Sequence, residues 1–287
     1  CKKTNPNYQQ EASNPRYLER AQNMLTESII HDIFAPPVSA RIYMYASVAG
    51  YEGAILGDKK FKSLVGQLNG FESVAKPESG LEYCYPLAST RAFLSVGKKL
   101  TFAQELYVEF DKQVEEDFRK TGMPDEVYER SVALGDSIAA SVLRWAAKDN
   151  YKQTRGFRFT VTNLPGTWTP TPPAYMDAVE PYWNKVRPAM LDSAAQFRAP
   201  APAKFDLTKG SPYYKEVMHA YETVKNLTNE QRDIANFWDC NPFKMNITGH
   251  AMFATKKMSP GGHWLGIVAQ ISRQYKKGYT ETAEALA

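Results

Sequence analysis

The sequence has few of the residues that build metal centres and disulfide frameworks. Only three cysteines and four histidines occur among 287 residues, and neither a Cys-x-x-Cys pair nor a His-Glu-x-x-His motif is present. The histidines also lack the i, i+4 spacing with which one helix face holds a metal ion; they are His31, His219, His250 and His263. Glycine-rich phosphate loops and the Gly-x-Ser-x-Gly nucleophile motif are missing too. The sequence therefore does not predict a zinc enzyme, a P-loop protein or a serine hydrolase of these types.

Long apolar runs and one-sided charge are also lacking. No stretch approaches the roughly 18 apolar residues that a transmembrane helix needs. The chain carries 35 basic and 31 acidic residues, with a net charge of +4. No basic block exceeds two residues, so the charges indicate a mixed solvated surface and not a nucleic-acid partner.

The three cysteines suggest different roles. Cys1 is followed by the polar run Lys-Lys-Thr-Asn-Pro-Asn. This pattern resembles a mature bacterial lipoprotein, so we expect a lipid attached to Cys1 and a tether over 1–13. The lipid would make the membrane a partner and place the protein in the cell envelope, at the outer membrane. The alternative is that Cys1 is an arbitrary sequence boundary. Cys84 and Cys240 could form a disulfide or stay free, and free thiols are favoured.

Apolar residues recur at helical spacing through most of the chain from residue 14 onwards, which predicts one helical domain over 14–287. The predicted helices lie at about 14–33, 36–55, 87–98, 101–121, 124–148, 211–225, 229–238 and 260–276. Asn14 with Pro15 marks the first helix start, and Thr228 with Gln231 forms a capping box. The small residues of 40–55 predict a central, mostly buried helix that neighbouring helices approach closely. Strand-like alternation occurs only at 157–161, too short for a sheet. We therefore predict an all-α multi-helix bundle.

Two stretches stand out from the helical pattern. Residues 156–183 combine five prolines with tyrosine and tryptophan, so we expect an ordered strap between two helical halves, either a structural buckle, which is favoured, or the rim of a substrate site. The final residues, from Thr280, begin a helix that ends after about two turns. We expect the polypeptide to continue past Ala287, and the apolar positions of this helix and of 40–55 to lack part of their packing surface.

Several blocks together resemble the helical amino-terminal half of the vanadium-dependent haloperoxidases, relatives of the type 2 phosphatidic acid phosphatases. The blocks are APPVSARIYMYASVAGYEGAI (35–55), GDSIAASVLRWAAKDN (135–150), GTWTPTPP (166–173), PYWNKVRPAML (181–191), LTNEQRDIANFWDCNP (227–242) and SPGGHWLGIV (259–268). The resemblance implies a helical bundle whose carboxyl-terminal half binds vanadate or phosphate. In that family the binding residues follow three patterns: Lys, six residues, Arg-Pro; Pro-Ser-Gly-His; and Ser-Arg, five residues, His.

Three places in this sequence are similar to those patterns but depart from them. Lys185 is separated from Arg187-Pro188 by one residue and not six. The run 259–263, Ser-Pro-Gly-Gly-His, has the residues of the Pro-Ser-Gly-His pattern in the wrong order. The five residues after Ser272-Arg273 end at Gly278, and Tyr279 follows where the pattern has histidine. We therefore expect no catalytic, cofactor-binding or metal-binding residue within 1–287.

Two functions remain open from the sequence. In the favoured one, the chain is part of an envelope phosphatase or haloperoxidase, and vanadate binds only when the carboxyl-terminal half is present. In the other, the chain is a non-catalytic helical lipoprotein subunit of an outer-membrane or envelope complex.

Overall fold

In the computed structural model, the described residues are 4–172 and 174–287. The helices are α1 (Tyr8–Ala12), α2 (Arg16–His31), α3 (Pro36–Ala54), α4 (Tyr85–Leu100), α5 (Leu106–Lys120), α6 (Asp125–Ala146), α7 (Tyr151–Thr154), α8 (Pro212–Lys225), α9 (Asn229–Phe237), α10 (Pro260–Gln274) and α11 (Tyr279–Leu286). Single turns of 3₁₀ helix lie at Ile55–Gly57 and Trp183–Lys185, and two strands, β1 (Phe243–Thr248) and β2 (Ala251–Lys256), form a hairpin. The chain divides into a first unit, 1–150 with 241–287, and a second unit, 151–240.

The core of the first unit is built around α3, which packs mainly against α4, while α4 packs in turn against α6. Most of α3 is buried, as expected for its small residues. A Cβ atom added at Gly53 would lie only 2.7 Å from Ser89 Cα, so the backbones of α3 and α4 approach closely at this point. The expectation that the small residues of 40–55 allow close helix packing is confirmed.

Local signals located most helix ends correctly. The Asn14 Oδ1 accepts a hydrogen bond from the Arg16 backbone N–H at 3.0 Å, and helix α2 follows Pro15 directly. The Thr228 and Gln231 side chains form the predicted reciprocal capping box. The prediction that a helix starts at Thr101 was wrong: the Thr101 hydroxyl donates to the Gly97 carbonyl at 3.0 Å, and α5 begins only at Leu106.

The stretch before Asn14, expected to be poor in helix, contains α1 and packs onto the first unit. Tyr8 and Ala12 are buried, and the Tyr8 hydroxyl donates to the Glu82 carboxylate. The Asn5 backbone N–H donates to the Gly122 carbonyl at 3.0 Å. The described part of this stretch is therefore structured by burial of an aromatic ring and by long-range hydrogen bonds. Cys1 lies outside the described residues, and its lipid attachment stays a prediction.

The β hairpin was missed by the sequence analysis, and the only strand-like run noted in the sequence, 157–161, is not a strand. Antiparallel pairing runs from Phe243 opposite Lys256 to Thr248 opposite Ala251. Gly249 has a φ of 61°. A two-residue hairpin turn requires positive φ, which glycine adopts without strain. The fold is thus mainly helical, as predicted, but it is not purely α.

Helix α11 differs from its expected state. Its apolar face is buried against α3 and α10 through Tyr279, Ala283 and Leu286. The Tyr279 hydroxyl lies 2.8 Å from the Thr90 Oγ1 and donates to the Pro86 carbonyl at 2.9 Å. The expectation of an incompletely packed surface on α3 and on this helix was therefore wrong, because the two helices cover one another.

The second unit holds the proline- and aromatic-rich stretch 156–183, whose described residues are mostly irregular and exposed. Tyr182 organises it locally, with edge-on ring contacts to Phe157 and Phe159 and a 2.7 Å hydrogen bond from its hydroxyl to the Arg158 carbonyl. Arg155 forms an ion pair with Glu180, whose side chain is only 8% exposed. These contacts give the stretch a defined local structure; its role as a strap between two halves stays a prediction.

Cys84 is a buried free thiol and Cys240 an exposed one. Burial raises the pKa of the Cys84 thiol to about 11, which keeps it protonated and unreactive at neutral pH. Within 4–172 and 174–287, none of the helices combines the length and the apolar character needed to cross a lipid bilayer.

Candidate functional site

The run 259–263 forms the start of α10 and not an anion-binding loop. Ser259 is the N-cap residue of the helix and is buried, and its Oγ has no hydrogen-bond partner among the described residues. Pro260 occupies the first helical position, where it requires no N–H acceptor. His263 is exposed. The serine and the histidine of this run therefore point to different environments and cannot act as one donor set.

Arg273, which follows Ser272 as in the family's Ser-Arg pattern, already has an anionic partner. Its Nη1 lies 2.6 Å from the Glu19 Oε2 on α2. Glu19 is buried, and the neighbouring Ser272 is buried as well. The guanidinium compensates a buried carboxylate, so its first role is structural.

Lys185 and Arg187 lie in the second unit, at the 3₁₀ turn Trp183–Lys185 and just after it. Lys185 is exposed and Arg187 is half-buried. Only one residue separates Lys185 from Arg187, whereas six residues separate the lysine from the arginine in the haloperoxidase pattern. Both side chains take part in further interactions.

A deeply buried ion pair was not found from the sequence. Arg41 on α3 and Asp149, just after α6, form a 2.6 Å contact between Nε and Oδ2, and the Tyr45 hydroxyl donates to the same Oδ2 at 2.9 Å. The Arg41 guanidinium also lies over the Tyr45 ring. Since 108 residues separate the partners, no spacing rule could have paired them. These contacts fix α3 to the end of α6.

A second buried carboxylate belongs to Glu52 on α3. Its oxygens accept hydrogen bonds from the Ser63 hydroxyl at 2.8 Å and from the Leu64 backbone N–H at 2.6 Å. Burial raises the pKa of Glu52, and the two hydrogen bonds lower it in part. A carboxyl group with a raised pKa is a candidate proton carrier, but here both oxygens tie α3 to the loop after it, which is a structural task.

One surface cleft of about 400 Å³ contains two arginines; it is lined by Asn14, Arg16, Tyr17, Arg20 and Asp117. The Arg20 Nη1 lies 2.6 Å from the Asp117 Oδ2, and the hydrogen bond from Arg20 is the main reason why the pKa of Asp117 is lowered. This pairing offsets the positive charge that an oxyanion would need. All four histidines are exposed. Among residues 4–172 and 174–287, no cluster of three or more His, Cys, Asp or Glu side chains could hold a metal ion.

Comparison with known proteins identifies the type of fold. No protein-family model and no curated protein sequence matches the chain. A solved structure does match: the crystal structure described as the first bacterial vanadium-dependent iodoperoxidase has 36% sequence identity over 95% of this chain, with a TM-score of 0.85. The chain has a vanadium haloperoxidase-like fold. This haloperoxidase-like chain spans 64% of the length of the iodoperoxidase.

Among the described residues of this haloperoxidase-like chain, those that resemble the family's ligands do not fit vanadate. A tetrahedral oxyanion needs several cationic and hydrogen-bonding groups that converge on one point. Arg273 is bound to Glu19, Ser259 is buried at the start of α10, and Lys185 and Arg187 have only one residue between them. We therefore derive no chemical step through vanadate from residues 1–287.

Proposed function

We propose that this chain is the helical scaffold of a vanadium haloperoxidase-like enzyme, either a halide-oxidising peroxidase or a phosphatase. Its oxyanion ligands would come from polypeptide outside 1–287. The observation that carries the proposal is the match to the iodoperoxidase, which covers nearly all of this chain but only 64% of the related one. About a third of the related fold therefore has no counterpart here.

The local contacts agree with a scaffold role. Arg273, the charged side chain in 259–273 that resembles an oxyanion ligand, helps to fix α10, and the buried Arg41–Asp149 pair fixes α3. A scaffold of this kind would position a site without supplying its ligands. Peroxidase and phosphatase share the need for an oxyanion cradle, so both activities belong to the proposal.

Vanadate titration tests the proposal that the oxyanion ligands lie outside 1–287. Residues 1–287 alone should show no stoichiometric vanadate binding by calorimetry, no iodide or bromide oxidation, and no phosphomonoester hydrolysis. The protein purified at its natural length should bind vanadate or phosphate with micromolar affinity. Micromolar, stoichiometric vanadate binding by monomeric 1–287 would contradict the proposal that the oxyanion ligands lie outside this part of the polypeptide. Failure of the natural-length protein to bind either oxyanion would favour the non-catalytic envelope subunit instead.

The lipid anchor is a separate proposal. Metabolic labelling with a clickable fatty acid should mark the protein in a bacterial host, and Cys1→Ala should abolish the label and release the protein from membranes. Cys240→Ala, which removes an exposed thiol, is the matched control and should leave both unchanged. If Cys1→Ala is retained on membranes as well as the unaltered protein, the lipid anchor is contradicted, and so is an envelope location that depends on this anchor.

A further inference from the structure

Helix α10 has an inner face that is firmly packed. Gly262, Ala269 and Ser272 are buried, and a Cβ atom added at Gly262 would lie 2.7 Å from the Tyr43 hydroxyl oxygen. Near its carboxyl end, Arg273 bonds to the buried Glu19. The helix is therefore held on α2 and α3 along its length, and its orientation is fixed.

A second face of α10, roughly 120° around the helix axis from the buried one, is apolar and largely uncovered. Its side chains are Trp264, Val268 and Ile271, followed by Tyr275 at the C-cap position, at successive spacings of four, three and four residues. Trp264 is 65% exposed, Ile271 is 47% exposed and Tyr275 is 69% exposed, while Val268 is half-buried. At about 100° per residue, the four Cα positions lie within roughly 60° of one another around the helix axis. We call these four residues the α10 stripe.

The α10 stripe has the form of a helix-packing seam. Apolar residues at alternating spacings of three and four residues are the pattern with which one helix packs along another. Single exposed apolar residues are normal on a protein surface, but a continuous row containing a tryptophan and a tyrosine indicates an interaction site. These two residue types carry much of the binding energy in protein interfaces. Because the inner face of α10 is fixed, the stripe needs little ordering before it binds.

The comparison with the iodoperoxidase indicates what covers the stripe. About a third of that chain is unmatched, although the matched part includes 95% of the present chain. We propose that the α10 stripe is the docking surface for an amphipathic helix from the polypeptide that completes the haloperoxidase-like fold. The identity of the partner rests on the function proposed above; the existence of a helix-binding face rests on the stripe alone.

Site-specific photo-crosslinking tests the proposal in the protein at its natural length. A benzoyl-phenylalanine replaces Trp264 or Tyr275, and peptide mass spectrometry locates the crosslink after irradiation. Gln270 is the matched control position, since it is exposed on the same helix but lies about 130° from the centre of the stripe. We expect positions 264 and 275 to crosslink at least fivefold more than 270, to a peptide that aligns with the unmatched third of the iodoperoxidase. A crosslink to the same helix of a second copy or to lipid would overturn the proposal, and so would a yield no higher than at 270.

A charge substitution gives an independent measurement. Trp264→Glu combined with Tyr275→Glu should leave the thermal midpoint of residues 1–287 unchanged, because these side chains are exposed there. The same pair should lower the midpoint of the natural-length protein by several degrees, whereas Gln270→Glu should not. An unchanged midpoint in the natural-length protein would contradict docking on this face.

These results separate docking from catalysis. Crosslinks to the expected peptide in a protein that binds neither vanadate nor phosphate would retain the docking face and reject the proposed enzyme. If the protein binds an oxyanion but positions 264 and 275 crosslink no more than position 270, the proposed enzyme is retained and the docking face is rejected.

Discussion

Arg273 and Glu19 form an ion pair whose two members differ sharply in exposure. The guanidinium Nη1 lies 2.6 Å from the carboxylate Oε2, while the Arg273 side chain is 50% exposed and that of Glu19 is 4% exposed. The partners are 254 residues apart and join α10 to α2. An arginine in a sequence that resembles an oxyanion-binding pattern thus serves to neutralise a buried carboxylate.

The first prediction concerns this pair. Arg273→Ala leaves the Glu19 charge buried without its partner, so the free energy of unfolding should fall by about 1–3 kcal/mol. Because solvent reaches the guanidinium, the loss should be smaller than that expected for a fully buried pair. Urea unfolding of residues 1–287 measures the loss.

Two variants provide the controls for Arg273→Ala. Arg273→Lys keeps the positive charge and should restore part of the stability. Arg91→Ala removes a 2.7 Å contact to Asp136 in which both side chains are 40–45% exposed, and it should cost less than about 1 kcal/mol. Equal losses for Arg273→Ala and Arg91→Ala would show that burial of Glu19 does not decide the effect.

The second prediction concerns Arg41 and Asp149, whose side chains are only 9% and 2% exposed. Asp149→Ala leaves a buried guanidinium without its carboxylate, so the free energy of unfolding should fall by about 3–5 kcal/mol. A double-mutant cycle with Arg41→Met should give a coupling energy of about 1–3 kcal/mol, because the two residues are in direct contact. Additive losses in the cycle would mean that the pair contributes no coupling to stability.

The sequence predicted what depends on neighbouring residues. The starts of α2 and α9 follow from capping side chains two or three positions away, Asn14 for one and Thr228 with Gln231 for the other, and both were located correctly. The burial of α3 followed from its small residues. In each case the physical cause lies within one or two helical turns of the residue concerned.

What the sequence could not predict depends on distant partners. Arg41 meets Asp149 and Glu19 meets Arg273 only after the chain has folded, and neither pair has a spacing rule. FKMNIT alternates strictly between apolar and polar residues and could have been recognised as a strand. AMFATK lacks that alternation, and only cross-strand pairing holds it in the hairpin. The α10 stripe has a helical period, but only the fold shows which side of the helix is left uncovered.

The third prediction compares two glycines in helices. Gly53→Ala places a Cβ atom 2.7 Å from Ser89 Cα, so α3 and α4 must move apart, and the free energy of unfolding should fall by about 1–3 kcal/mol. Gly266→Ala is the matched control in α10, where an added Cβ meets no described atom within 4 Å. Alanine favours helix over glycine by about 1 kcal/mol, so Gly266→Ala should be neutral or stabilising. Thermal and urea unfolding of both variants decide, and a stable Gly53→Ala protein would contradict the close approach of the two helices.

The last prediction concerns the pH dependence that Glu52 introduces. Burial raises its pKa in the folded protein, whereas in the unfolded chain a glutamate titrates at about 4.3. Between those two values the folded state binds more protons than the unfolded state, so stability falls as the pH rises. The contribution of protonated Glu52 is therefore fully present below about pH 4.3 and is lost as the pH rises through the folded-state pKa.

Glu52→Gln removes this titration and supplies the test. The free energy of unfolding of the unaltered protein minus that of Glu52→Gln should decrease as the pH rises from about 4 to 7. Glu72→Gln replaces an exposed glutamate and controls for the loss of one carboxyl group. A difference that stays flat, or that grows with pH, would show that the hydrogen bonds from Ser63 and Leu64 outweigh burial and hold Glu52 ionised in the folded protein.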